Sequence, residues 1–153
     1  MKPIDIGSAL QIARPRTGEL TAVALYRLLR LVAMEDILGA GASAMSYYAG
    51  KKLGKELRFK QIDEFLKLCE QLRIGVVSVP LVSDERIHID VHECVTCSGM
   101  SPVGRMLCHF EGGLMAGAFE CILGTTVQAK EVSCIGGFGD ASCGFDLLVR
   151  TGR

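Results

Sequence analysis

The spacing of hydrophobic residues changes once along the chain, and the change separates a helical part from a stranded part. Between residues 20 and 37, Leu20, Val23, Ala24, Leu28, Val32 and Ile37 recur near helical spacing, and Gly39 follows as a stop signal. A second helical stretch, roughly 41 to 57, carries Met45, Tyr48, Leu53 and Leu57. It also holds Gly50 and Gly54. Each glycine costs about 1 kcal/mol relative to Ala in a helix interior, so this helix needs tertiary support. The third stretch, FKQIDEFLKLCEQLRIG, repeats apolar residues at Phe59, Ile62, Phe65, Leu66, Cys69 and Leu72, and Gly75 closes it.

From Val76 the period becomes two. VVSVPLV, a turn at SDER and IHIDVHEC read as a hairpin in which Ile87, Ile89 and Val91 form a buried face and His88, Asp90 and His92 the other. Pro80 donates nothing to a ladder, so its strand lies at an edge or carries a bulge. After Gly99, Pro102 and Gly104 a helix is predicted from about Arg105 to Leu123, ended by Gly124. Gly112, Gly113, Ala116 and Gly117 leave one face of it nearly bare, so a sheet or another helix can approach closely. A second hairpin, TVQAKEVS and CGFDLLVR, is joined by the glycine-rich CIGGFGDAS. This order predicts an α+β fold: N-terminal helices plus an antiparallel sheet of two hairpins separated by a helix. Nothing marks a linker or a repeat, so residues 1–153 are read as a single domain.

Composition narrows the function. With 153 residues, 49% of them hydrophobic, the chain can bury a core without disulfides. Seventeen basic residues balance seventeen acidic ones, and none of the basic ones cluster, which argues against nucleic acid as a partner. The N-terminal residues lack the apolar core of a signal peptide, and no segment reaches 18 uncharged apolar residues. A cytoplasmic protein with no membrane span is expected.

The seven cysteines are an odd number, which argues against a disulfide framework and for metal ligation or redox chemistry. Cys69 and Cys121 lie on apolar helical patterns and read as small core residues. Glu131 and Cys134 sit three residues apart where the third strand ends, and Cys143 opens the fourth across a short turn. Cys108 is expected in the first turn of the preceding helix, where free N–H groups and the helix dipole favour a thiolate. Three thiolates and a carboxylate suit zinc, and four protein ligands describe a structural site with no place for an activated water.

A second cluster, His92, Glu93, Cys94 and Cys97 in HECVTCSG, stays open between three readings. Cys94 and Cys97 could join Cys134 and Cys143 in a four-cysteine site, form a separate metal or dithiol site with His92, or simply end a strand. His109 is either a local hydrogen-bonding group or a polar anchor for a pocketed ligand, and Glu111 either pairs with a strand residue or lies at the rim of the site. Tyr47 and Tyr48 are either ordinary half-buried tyrosines or cavity lining.

The run C-x22-E-x2-C-x8-C, with FEGG just after the first Cys and CGFDL at the end, resembles the 4-vinyl reductase domain. That domain also occurs in the aromatic-compound sensor regions of XylR- and DmpR-type regulators and shares its fold with TRAPP vesicle-tethering subunits. In the sensors the corresponding residues hold a structural zinc, which falls here on Cys108, Glu131, Cys134 and Cys143. The last gap is about one residue longer, which the glycines of GGFGDAS can absorb. The resemblance implies a TRAPP-like, ligand-binding fold: a sensor or carrier with zinc beside a mostly apolar pocket, a small hydrophobic ligand and a homodimer. Two alternatives remain. One is a reductase or enzyme partner acting on a tetrapyrrole or other hydrophobic substrate, which the lack of a dinucleotide fingerprint disfavours. The other is a dimeric assembly subunit. The chain has no Trp and no ATPase or DNA-binding part, so neither the aromatic lining of the phenol sensors nor a one-chain transcription activator is expected.

Overall fold

The computed structural model describes residues 3–150. A short helix α1 (Ile6–Ala9) precedes a longer helical run made of α2 (Val23–Arg27), a π-helical segment (Leu28–Ala33) and α3 (Met34–Leu38). Gly39 breaks the run with φ 54°, as its sequence position suggests. Then come α4 (Ala42–Glu56), α5 (Ile62–Gln71), strands β1 (Val76–Val82) and β2 (Arg86–His92), α6 (His109–Leu123), β3 (Val127–Ser133), α7 (Ile135–Phe138) and β4 (Cys143–Val149). The strands form one antiparallel sheet in the order β1-β2-β4-β3, so the expected α+β architecture is the one found. Among the described residues no helix is long and apolar enough to cross a membrane.

The two hairpins meet through β2 and β4, and their registration builds the core. Ile87 faces Leu147, Ile89 faces Phe145 and Val91 faces Cys143, all six buried. Because directly opposed residues share a sheet face, Cys143 continues a row of core side chains. β1 is both an edge strand and irregular between Ser78 and Leu81, so both readings of Pro80 hold. At the opposite edge, α4 blunts β3: the Ala129 N–H donates to the Tyr47 hydroxyl at 3.0 Å and Lys51 Nζ donates to the Val127 carbonyl at 2.9 Å. Phe65 of α5 packs edge-on between Phe59 and Phe119, with ring centroids 5.8 Å from each.

The glycines that weaken α4 as an isolated helix are the surface by which it docks. A Cβ on Gly50 would lie 2.1 Å from the Phe110 carbonyl oxygen, and one on Gly54 2.3 Å from that of Leu114. In return, a Cβ on Gly113 would lie 2.0 Å from the Tyr47 carbonyl oxygen, and one on Gly117 2.1 Å from that of Lys51. The two helices therefore meet backbone to backbone through a small-x3-small pattern on each. Glu120 closes the far end of this contact by accepting from Lys51 and Lys55.

Three expectations need correction. The helix expected from Arg105 begins at His109, with Cys108 as its N-cap residue, because 105–108 run in an irregular stretch against α7. Cys121 is exposed, since it lies on the side of α6 turned away from the sheet. In the α2–α3 run the apolar residues face outward: Leu25, Leu28, Leu29 and Val32 are each more than half exposed, while Tyr26, Arg27 and Arg30 point into the protein.

Replacing Gly117 by Ala should destabilise the protein by about 1–3 kcal/mol, the usual penalty of overpacking. Helix propensity alone predicts a gain of about 1 kcal/mol, so urea unfolding separates the two by sign, and a more stable variant would remove the close contact as the reason for the glycine.

Candidate metal centre

Four separate segments deliver cysteines to one point. β2 ends at His92, and Glu93 turns the chain with φ 52° into a knuckle. There the N–H groups of Cys97 and Ser98 both donate to the Cys94 carbonyl, at 3.2 and 2.9 Å. Cys108 arrives as the N-cap of α6, Cys134 as the N-cap of α7 and Cys143 as the first residue of β4. α7 fits beside the knuckle because Gly136 and Gly137 have no side chains. A Cβ on Gly136 would lie 2.7 Å from Cys97 Cβ, and one on Gly137 2.4 Å from the Arg105 carbonyl oxygen.

All five cysteines are buried, and their sulfurs form one network of contacts. Cys97 Sγ lies 3.3 Å from Cys143 Sγ, 3.5 Å from Cys108 Sγ and 3.9 Å from Cys134 Sγ. Cys108 Sγ lies 3.6 Å from Cys94 Sγ and 3.7 Å from Cys143 Sγ. Glu131 completes the cluster from the end of β3, where both carboxylate oxygens accept the Cys108 backbone N–H, at 3.0 and 3.2 Å.

Two quartets of donors emerge, Cys94, Cys97, Cys108 and Cys143, and Cys108, Glu131, Cys134 and Cys143, with the ligand atoms of each within 4.8 Å of one another. Four sulfurs about 2.3 Å from a tetrahedral zinc are about 3.8 Å apart along each edge, so the observed contacts fit such an ion. The four-cysteine quartet makes the cluster able to hold a metal.

The electrostatics point the same way. Contact with Cys108 draws the Cys97 thiol down to about 4 and the Cys134 thiol to about 6, while hydrogen bonding with Cys134 and the other cysteines pushes Cys108 up. Burial, reinforced by Cys134, raises Glu131 to about 9 despite the Cys108 N–H. Packed this closely, the thiols share protons rather than all ionising, and a thiophilic cation is the natural replacement for those protons.

Cys94 and Cys97 thus do not form a separate site with His92. They lie inside the same cluster as Cys108, Glu131, Cys134 and Cys143, whereas His92 is exposed at the end of β2. His109 opens α6 half-buried, and burial lowers its pKa. Tyr47 uses its hydroxyl on β3, and Tyr48 is exposed. Concave surface occurs elsewhere, including a cleft between α5 and β1 lined by Asp63, Leu66, Val76 and Val77.

A polar network beside the knuckle went unforeseen. Glu111 is 2% exposed, and its Oε1 accepts from Thr96 at 2.6 Å, Arg30 at 2.8 Å and the Tyr26 hydroxyl at 2.9 Å, so it pairs with a helix and not a strand. Arg30 also lies over the Phe110 ring, 5.1 Å from its centroid. Arg27 donates to the carbonyls of Val95 and Ser98, both at 2.8 Å. The N-terminal helix thereby grips the cysteine knuckle through its two arginines. Arginines inside an apolar helical run were the available signal.

The model of the 4-vinyl reductase domain matches residues 87–148, which span the knuckle, α6 and both hairpin ends of the cluster. The uncharacterized protein MJ1642 of Methanocaldococcus jannaschii is 32% identical over 130 residues, 85% of this chain and 79% of that protein. The chain belongs to the 4-vinyl reductase domain family. MJ0150, a second uncharacterized protein of that organism, is 31% identical over 84% of this chain and 76% of its own. Among solved structures, a vinyl-4-reductase family protein from Methanocaldococcus jannaschii superposes with TM-score 0.67 at 22% identity, covering 89% of this chain and 86% of that one. The phenol-responsive sensory domain of the transcription activator PoxR, with phenol, gives 0.64 at 16% identity, over 86% and 76%. A trafficking protein particle complex subunit 3 from Naegleria fowleri, covalently bound to palmitic acid, gives 0.60 at 14%, over 84% and 95%. These likenesses establish the fold that the 4-vinyl reductase domain shares with the TRAPP subunits.

Replacing Arg30 by Met should destabilise this 4-vinyl reductase family protein by about 3–5 kcal/mol, because Glu111 would remain buried without its cation. Adding Glu111→Gln should recover much of that loss in thermal unfolding; equal stability of the single and double variants would show that the pair is not the source.

Proposed function

We propose that this 4-vinyl reductase family protein is a non-catalytic small-molecule-binding module, a sensor or carrier, built around a structural zinc centre that includes Cys108, Glu131, Cys134 and Cys143. The carrying observation is the closed, buried set of soft donors. Thiolates select zinc over hard cations, and a full set of protein ligands leaves no position for a metal-activated water. The cluster's five free, buried thiols also suit the reducing cytoplasm.

The ligand is a small hydrophobic compound. Support comes from two proteins of the same fold, one holding phenol and the other palmitic acid. The outward apolar face of the α2–α3 run supports a homodimer, because Leu25, Leu28, Leu29 and Val32 form a stripe that a second copy would cover. A mostly apolar chamber bordered by that run and α4 is the reading for the binding site, with His109, Tyr47 and Tyr48 as its candidate polar groups.

Native mass spectrometry of protein purified under reducing conditions tests the reading. A zinc-loaded dimer that retains an apolar compound, or whose melting temperature rises with phenol or palmitic acid, is the expected result. Cys134→Ser should lose zinc and stability. A zinc-free monomer that binds neither compound would overturn the proposal.

A further inference from the structure

We infer that the cysteine cluster is a two-metal site, in which Cys108 and Cys143 bridge two zinc ions. This rests on the structural-zinc reading and extends it. One ion would be held by Cys94, Cys97, Cys108 and Cys143, the other by Cys108, Cys143, Cys134 and Glu131. The C-x22-E-x2-C-x8-C pattern accounts for the second ion only; the first is assigned by the place where β2 delivers its knuckle.

Three observations carry the inference. The first is the donor count. Two four-coordinate ions that share two ligands need six donors, and six converge here, five sulfurs and the Glu131 carboxylate. A single tetrahedral ion would use four and leave two buried groups without a partner, an expensive arrangement.

The second observation is which residues are shared. Cys108 and Cys143 are the two members common to both quartets, and their sulfurs are 3.7 Å apart. Cys97 touches both of them from one side, at 3.5 and 3.3 Å. Thiolate sulfur has lone pairs enough to serve two cations, which a carboxylate already engaged by the Cys108 N–H does not need to do. Glu131 therefore falls at an outer position, as do Cys94, Cys97 and Cys134.

The third is charge. Five thiolates and one carboxylate present six formal negative charges in a buried volume whose backbone donors include the Ile135 N–H to Cys143 Sγ and the Cys108 N–H to Glu131. One divalent ion leaves four of those charges uncompensated, and two ions leave two. Each thiol releases its proton as its sulfur binds, so loading is accompanied by proton release and no change of oxidation state.

Metal stoichiometry decides the matter. Native mass spectrometry of the full chain refolded with zinc should show two ions per chain. Cys94→Ser and Glu131→Gln, which alter opposite ends of the cluster, should each retain one ion, with far-UV circular dichroism confirming that the variants are folded. With cobalt(II) in place of zinc, the wild-type chain should show sulfur-to-metal charge-transfer bands, and a magnetic moment below that of two isolated ions because the bridging thiolates couple them. A single ion per chain in the wild type overturns the two-metal site while leaving the structural-zinc reading intact. No bound ion overturns both, and iron with acid-labile sulfide overturns the zinc assignment at both positions.

Discussion

The closeness of α4 and α6 is the constraint on which the rest of the molecule depends. Glycines at 50, 54, 113 and 117 let two helix backbones meet where any side chain would collide with a carbonyl oxygen. That contact fixes α6 from one side while the sheet row of Ile87, Ile89, Phe145 and Leu147 fixes it from the other. A helix held on two faces has little freedom along its axis or about it, so its N-terminal residue is well placed. That residue is Cys108, and one turn on is Glu111. Both polar centres of the protein therefore rest on a helix chosen for having almost no side chains on one face.

The same glycines show how a local penalty can report a tertiary gain. Considered within one helix, Gly50 and Gly54 only weaken it. Paired with Gly113 and Gly117, they define a docking surface, and the bare face of α6 was legible in the sequence as a place of close approach. The element order and the alternating strands were equally legible, because burial on one face imposes period two. The start of α6 was not. Residues 105–108 look compatible with helix, but the pull of Glu131 on the Cys108 N–H and the contact with α7 are tertiary effects.

The cluster was half legible. Cys108, Glu131, Cys134 and Cys143 stood out by spacing, yet the spacing of Cys94 and Cys97 did not say where the knuckle would point. Its direction is set by the left-handed turn at Glu93 and by the pairing of Val91 with Cys143, which brings the end of β2 alongside the start of β4. His92 belonged to the same short stretch and was separated from it by strand alternation, which places it on the opposite face from Val91. Arg27 and Arg30 were hidden for a different reason: polar positions in an apolar helix are normally the solvent face, and here they are the inner one.

That inversion joins two features that otherwise lie apart. The carbonyls of Val95 and Ser98 flank the cysteine knuckle, and both are satisfied by Arg27. Thr96, between them, is hydrogen-bonded to Arg30 and Glu111. The N-terminal helix is thus attached to the protein mainly by polar bonds to the thiol-bearing loop, while its apolar residues face outward. Hydrogen bonds to charged groups depend on geometry more strongly than apolar packing does, so the angle at which this helix presents its apolar stripe is tied to the shape of the knuckle. A metal that holds the knuckle rigid holds that stripe in place as well, and the centre's structural role then extends beyond the hairpins it joins to the surface on which the protein meets its surroundings.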